Sequence, residues 1–285
     1  MMNTAAAASA ARTDWPALLD AASAPYRSVG RFAFHFARGK LGIDPVFRHV
    51  LKAGLIPPKA HVLDIGCGQG LLASLLQRCG EFERSGRWPS HWPAAPAPAR
   101  VTGIELMPRD VKRAQAALGA SAEFICGDMR TTPFPECDAV VILDVLHYIT
   151  VPEQNDVLDR VRRALPAGGT LLLRIGDAAA RRGFVTSQWV DRIVTFARGH
   201  RVVPQYGRTL ADWTAQLELL GFAVKSQPMS EGTPFANVLL VARMPDTSRA
   251  KSWARATQGP LTGAAEPARK PSGDRPTYTS SEGRR

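Results

Sequence analysis

The stretch Val62-Leu63-Asp64-Ile65-Gly66-Cys67-Gly68-Gln69-Gly70 limits what this chain can fold into more than any other. It reads as a buried strand that ends in a carboxylate and runs straight into a turn with three glycines. Glycine lets a backbone bend sharply and approach a ligand without Cβ collisions. Residues 71–79 then read as a helix whose N-terminus faces whatever occupies the turn. A strand, a glycine turn and a helix in that order make a nucleotide-type site. One reading is the dinucleotide fingerprint G-x-G-x-x-G, which cradles a pyrophosphate. Here the third glycine falls one residue early, at Gly70, and position 71 is Leu. Asp64 also opposes that reading. Two like charges near 4 Å cost about 4 kcal/mol at an effective dielectric of about 20.

A cationic nucleoside suits the same place. S-adenosyl-L-methionine has no phosphate and carries an ammonium and a sulfonium, so an acid beside the turn favours it. The whole stretch resembles motif I of the class I S-adenosylmethionine-dependent methyltransferases, D-x-G-x-G-x-G, at every fixed position. A dinucleotide site and a purely structural glycine turn are the competing readings.

The chain has 285 residues and 45% hydrophobic content, enough for one sizeable domain with additions or two small ones. It contains no apolar run near the roughly 18 residues that cross a bilayer. Residues 1–11 are Ala-rich without the basic flank and long apolar core of a secretory signal. The expectation is a cytoplasmic protein. Cys67, Cys79, Cys126 and Cys137 show no C-x-x-C pair and no metal-ligand spacing, so they are expected in or near the central layer as small hydrophobes, with no metal site. Net charge is +11 and the pI is about 10.1. From residue 245 onward there are eight Lys/Arg against four Asp/Glu, leaving +4 there and +7 in the rest. That distribution gives no strong case for a nucleic-acid partner.

Residues 14–54 read as helical segments, with Phe32, Phe34, Phe36 and Leu41 interleaved with Arg31, Arg38 and Lys40. Asp44 is a predicted N-cap, followed by Pro45 at the first helical position. Strand and helix then alternate. Strands are predicted at 62–65, 100–105, 123–126, 138–143 and 170–175, with a closing hairpin from 222–226 and 236–242. Helices are predicted at 71–79, 108–118, 153–165, 184–197 and 210–220. Residues 81–100 carry Trp88-Pro89, Trp92-Pro93, Pro96 and Pro98, which reads as a surface loop lengthening one crossover. This order predicts an α/β, Rossmann-like doubly wound seven-stranded sheet with N-terminal helices. The expected parts are a helical segment or lid over 1–58, a cofactor-binding domain over 59–244 and a disordered basic tail over 245–285.

In doubly wound sheets ligands sit at the carboxyl ends of the strands. Glu105 ends the second strand and can accept from both ribose hydroxyls, in NAD enzymes as well as methyltransferases; a solvated strand-end acid is the plainer reading. After the third strand, Gly127-Asp128-Met129 resembles the adenine-binding motif of the family, with Asp128 accepting from the exocyclic amine and Met129 against the ring. A turn closed by an Asx bond is the alternative. After the fourth strand, Asp144-Val145-Leu146-His147-Tyr148 resembles the loop under the methionine part of the cofactor in ubiquinone-biosynthesis-type and trans-aconitate-type methyltransferases. The resemblance covers residues 59–242. It implies cofactor contacts from Asp64, Gly66, Cys67, Gly68, Gly70, Glu105, Leu106, Asp128, Met129, Leu143 and Asp144, with the Leu143 carbonyl near the ammonium. The block from Arg31 to Leu41 is also similar to an element of methyltransferases from aryl-polyene-type pathways.

The resemblance implies methyl transfer to a small-molecule or carrier-bound acyl or aryl acceptor. An RNA or protein methyltransferase and a non-catalytic S-adenosylmethionine-binding module are the alternatives. His147 is the first candidate for a general base, ahead of His35 and Tyr148. Arg31, Arg38 and Lys40 are candidates for orienting an acidic acceptor, or else a solvated helix face. Tyr26, Phe32, Phe34 and Phe36 are the candidate cover over the cofactor.

Overall fold

The computed structural model describes residues 14–176, 206–231 and 237–246. The predicted helix at 184–197 and nearly all of the 245–285 tail lie outside the described residues.

One seven-stranded sheet organises them. Its strands are β1 (His61–Ile65), β2 (Arg100–Glu105), β3 (Glu123–Cys126), β4 (Ala139–Leu143), β5 (Thr170–Gly176), β6 (Ala223–Pro228) and β7 (Asn237–Arg243). Their order across the sheet is β3-β2-β1-β4-β5-β7-β6. The first five are parallel; β7 runs antiparallel to β5, and β6 antiparallel to β7. The order reverses between β1 and β4, so those strands and β2 open onto the crevice where such sheets bind ligands. The continuously apolar β4 is buried over Ala139–Ile142, as a central parallel strand covered on both faces must be.

The helices are α1 (Asp14–Ser23), α2 (Arg31–Ile43), α3 (Pro45–Lys52), α4 (Leu71–Arg84), α5 (Pro108–Leu118), α6 (Val151–Ala164) and α7 (Leu210–Leu219). Asp44 caps α3 as expected, accepting from the Val46 amide at 3.1 Å, with Pro45 next. Thr150 and Glu153 form a capping box at the start of α6, and Thr209 and Asp212 another at α7. The helices divide the apolar interior in two. The N-terminal helices, α4 and α5 enclose one cluster; α6, α7 and the other face of the sheet enclose the second, around the buried Trp213.

Three expectations need correction. Helix α4 does not stop at Cys79 but runs to Arg84, because Phe82 is buried on the same face as Leu75 and Cys79 and pulls another turn into register. The Trp/Pro segment beyond it is a packed plug. Trp88 meets Trp92 edge-on at 5.3 Å, its indole N–H donates to the Pro93 carbonyl at 2.8 Å, and Trp92 and Ala95 are buried. Backbone bonds from Lys59 to Ala97 and from Ala99 to Ala60 stitch it to the start of β1. The cysteines also divide. Cys67, Cys79 and Cys137 are buried, whereas Cys126 is exposed, since it ends the edge strand β3 on the side away from the core.

The N-terminal layer is fastened to the glycine turn. The Tyr26 hydroxyl is fully buried and donates to the Gln69 carbonyl at 2.9 Å. The Gln69 amide donates to the Ala33 carbonyl at 2.9 Å, and the Ser74 hydroxyl to the Ala22 carbonyl at 2.6 Å. Tyr26→Phe is expected to cost about 1–2 kcal/mol in a urea titration, because it strands a buried carbonyl while preserving shape.

Candidate active site

The carboxyl ends of β1, β2 and β4 bring most of the sequence-predicted residues together. Asp64 is the penultimate residue of β1, paired in register with Gly103 of β2, and is buried. Burial, and then the nearby Glu105 charge, push its carboxyl up to about 7. Asp64 is therefore a carboxyl poised between its two protonation states at neutral pH, rather than the fixed anion that the sequence suggests.

The turn between them is held by β2. The Gly66 and Cys67 amides both donate to the Ile104 carbonyl, at 2.8 and 3.2 Å. Glu105 then grips the chain on either side: one oxygen accepts from the Gly68 amide and the other from the Met107 amide, each at 2.9 Å. Leu106, beside it, is 59% exposed, an apolar side chain standing clear at the mouth of the strand. Cys67 contributes mainly bulk, since burial raises its thiol well above its ordinary value and makes it inert.

The turn after β3 contains the Asx geometry. The Asp128 carboxylate accepts from the Arg130 amide at 2.9 Å and from the Arg130 guanidinium at 2.6–3.0 Å, which holds it below its ordinary range. Arg130 continues to Glu153 of α6 at 3.0 Å. Arg160 of α6 donates to the carbonyls of Met129, Arg130 and Thr132, pinning this turn from below.

The loop after β4 abuts the glycine turn directly. A Cβ on Gly66 would lie 2.5 Å from Val145 Cγ1. Leu143 ends β4, and Asp144 takes the left-handed backbone conformation with φ 59°, uncommon for a residue other than glycine. The His147 and Tyr148 rings lie 4.1 Å apart, tilted by 50°, in a short 3-10 turn. Burial lowers the His147 imidazole, and the Asp144 charge offsets this only in part, so the ring is neutral near pH 7. The Gln154 amide donates to the Leu146, Ile149 and Tyr206 carbonyls, and the Tyr206 amide to the His147 carbonyl, which fix this turn.

Several candidates are placed elsewhere. His35 is exposed on α2. Arg38 and Lys40 are committed to Asp20 and Asp44, each at 2.8 Å. Phe32 and Phe36 stack at 6.0 Å, with Phe32 54% exposed. A shallow groove of about 510 Å³ between α6 and α7, lined by Val151, Arg208, Asp212 and Leu219, shares no residue with the strand-end group.

Sequence reasoning missed Arg174, Gln154, Arg160 and the Tyr26–Gln69 bond. Arg174 leaves a signal: it is the one charged residue in the apolar run Leu171-Leu172-Leu173-Arg174-Ile175.

The residues present fit S-adenosylmethionine. Two acids flank the turn, which repels a diphosphate and suits a cation and a diol, and Gly68 faces open space where a Cβ would meet nothing within 4 Å.

The comparisons agree. A methyltransferase-domain model matches residues 63–173. The carboxy-S-adenosyl-L-methionine synthase of Chromohalobacter salexigens is 29% identical over 119 residues, covering 40% of this chain and 39% of that protein. The ubiquinone biosynthesis O-methyltransferase of Xanthomonas campestris is 28% identical over 188 residues, covering 62% of this chain and 70% of that protein. Among solved structures, an O-methyltransferase family protein from Burkholderia thailandensis superposes with a TM-score of 0.54 at 17% identity, over 75% of this chain and 59% of that one. The chain thus has the fold of the Rossmann-like methyltransferases. Residues 63–173 match the methyltransferase-domain family, whose cofactor is S-adenosyl-L-methionine.

Proposed function

We propose that this protein transfers a methyl group from S-adenosylmethionine to a small-molecule or carrier-bound acyl or aryl acceptor. The observation that carries this reading is the pair of carboxylates, Asp64 buried and Glu105 on the Gly68 amide, on either side of the glycine turn. The cofactor supplies an electrophilic methyl group on a sulfonium. Asp64 would balance its positive charge, Glu105 would take the ribose hydroxyls, and Leu106, Asp128 and Met129 would flank the adenine. Gly66, Cys67, Gly68 and Gly70 would shape the backbone cradle, with Leu143 and Asp144 at the methionine end.

Methyl transfer is an in-line displacement, so the protein's work is to hold the acceptor close, aligned and dry; effective molarities reach about 10⁵ M or more for such alignment. The fastened N-terminal layer is the candidate cover that keeps water out. His147 is the candidate base: its neutral imidazole can take the proton of an acceptor hydroxyl, whereas an acceptor already ionised needs none. The name of the Xanthomonas relative, an O-methyltransferase, favours an oxygen acceptor.

Calorimetry with S-adenosylmethionine, S-adenosylhomocysteine and NAD tests the cofactor. Binding of the first two without NAD is expected; NAD binding alone would overturn the reading. Incubating cell extract with methyl-labelled cofactor then identifies the acceptor. Label in a metabolite or carrier-bound product is expected. Label confined to RNA or to protein side chains would overturn the acceptor class.

A further inference from the structure

Arg174 is a guanidinium buried in the middle of an apolar strand, with 2% of its surface exposed. Its fork meets two carboxylates from distant parts of the chain. Nε donates to Asp144 Oδ1 at 2.9 Å and Nη2 to Asp44 Oδ2 at 2.7 Å. Two further bonds, Nη1 to Asp44 Oδ1 and Nη2 to Asp144 Oδ2, make both pairs bidentate. Lys40 also reaches Asp44, at 2.8 Å.

The two acids have different duties. Asp44 caps α3 in the N-terminal layer. Asp144 sits in the left-handed region directly after β4, where Leu143 pairs in register with Arg174 itself. The Asp144 amide donates to the Arg174 carbonyl at 3.3 Å, so β5 holds this residue by backbone and side chain together. A non-glycine residue in that conformation persists only where its surroundings over-determine it. A bidentate arginine supplies fixed geometry as well as charge, which lysine does not.

We propose that Arg174 is a positioning residue: by clamping Asp144 in its left-handed conformation against Asp44, it sets the Leu143–Asp144 peptide at the methionine end of the cofactor site and ties that peptide to the N-terminal helical layer. This rests on the cofactor reading above. Arg174 itself does not touch the cofactor. Its effect is confined to the half of the ligand that meets the loop after β4, because Glu105 and Asp128 are held by other partners.

That selectivity supplies the test. Affinities for S-adenosylhomocysteine, which has the amino-acid arm, and for 5′-methylthioadenosine, which lacks it, are measured by calorimetry for the wild type, Arg174→Lys and Asp44→Asn. Asparagine caps helices as well as aspartate, so Asp44→Asn keeps α3 while loosening the pair. The expected result is a loss of tenfold or more for S-adenosylhomocysteine in Arg174→Lys and of about threefold to tenfold in Asp44→Asn, with methylthioadenosine unchanged within about twofold in both. Should Arg174→Lys fail to fold, Asp44→Asn alone decides. Folded variants that bind both compounds like the wild type, or lose both equally, would overturn the proposal. Wild-type protein that binds neither compound would overturn the cofactor reading, and this inference with it.

Discussion

Replacing Asp64 with Asn is expected to make the protein alone more stable at pH 8 and to weaken cofactor binding strongly. The Asp64 carboxyl is raised to about 7 by burial and by Glu105, against about 3.9 in an unfolded chain. Stability contributed by the protonated form is complete below about pH 4 and is lost as pH rises toward 7, because the unfolded chain gives up its proton first. A gap of about three pH units corresponds to about 4 kcal/mol. Asparagine cannot ionise, so it removes this penalty. Urea titrations are expected to show Asp64→Asn about 2–4 kcal/mol more stable than wild type at pH 8 and the two alike near pH 4. Binding is expected to move the other way, by about 10²-fold or more, as the variant lacks the charge that balances a cation. The wild type should also release a proton when it binds the cofactor below pH 7, so its affinity should climb between about pH 6 and 7 and that slope should vanish in the variant. A flat wild-type profile, or unchanged affinity in Asp64→Asn, would refute this role for Asp64.

The sequence exposes local features well and distant ones poorly, and the reason is physical. The β1 strand, the glycine turn and the Asp44 cap are each specified by residues within a few positions of one another. The alternation of apolar strands and amphipathic helices predicts the doubly wound sheet for the same reason. The Asp44–Arg174–Asp144 cluster is formed by residues 130 and 30 positions apart, and nothing in the local pattern around Asp44 distinguishes a cap from a cap that also neutralises a buried arginine. Arg174 leaves a local signal that went unread, since a charge in a continuous apolar strand demands a partner, but nothing near it in sequence names that partner. At Asp64 the residue type was legible, while its protonation depends on how completely β2 and β4 enclose it. Helix α4 shows a different failure. The prolines at 89 and 93 drew the predicted boundary back to the N-terminal side, when the helix in fact continues to Arg84 and lets Phe82 reach the core.

Gly68→Ala and Gly70→Ala are expected to fail in opposite ways, although the two glycines are two residues apart and both have positive φ, 56° and 77°. A left-handed alanine costs about 1–2 kcal/mol at either position. At Gly70 the new methyl would lie 2.7 Å from Phe124 Cζ and 3.2 Å from Ala114 Cβ, inside the packed seam between α4, α5 and β3. Overpacking of that kind adds about 1–3 kcal/mol, so the total removes a large part of a typical domain's stability of about 5–15 kcal/mol. The urea midpoint of Gly70→Ala should fall sharply. At Gly68 no atom lies within 4 Å of the added methyl. The fold should tolerate that change at little more than the backbone cost. The open side of Gly68 is nevertheless where the proposed cradle would meet the cofactor, next to the amide that Glu105 accepts from. Gly68→Ala is therefore expected to melt close to wild type and to lose about 10–100-fold in affinity for S-adenosylhomocysteine, since displaced close contacts of one methyl cost about 1–3 kcal/mol. Full affinity in a folded Gly68→Ala protein would mean that the cofactor does not approach the turn from this side. Such a result would remove the site proposed for it.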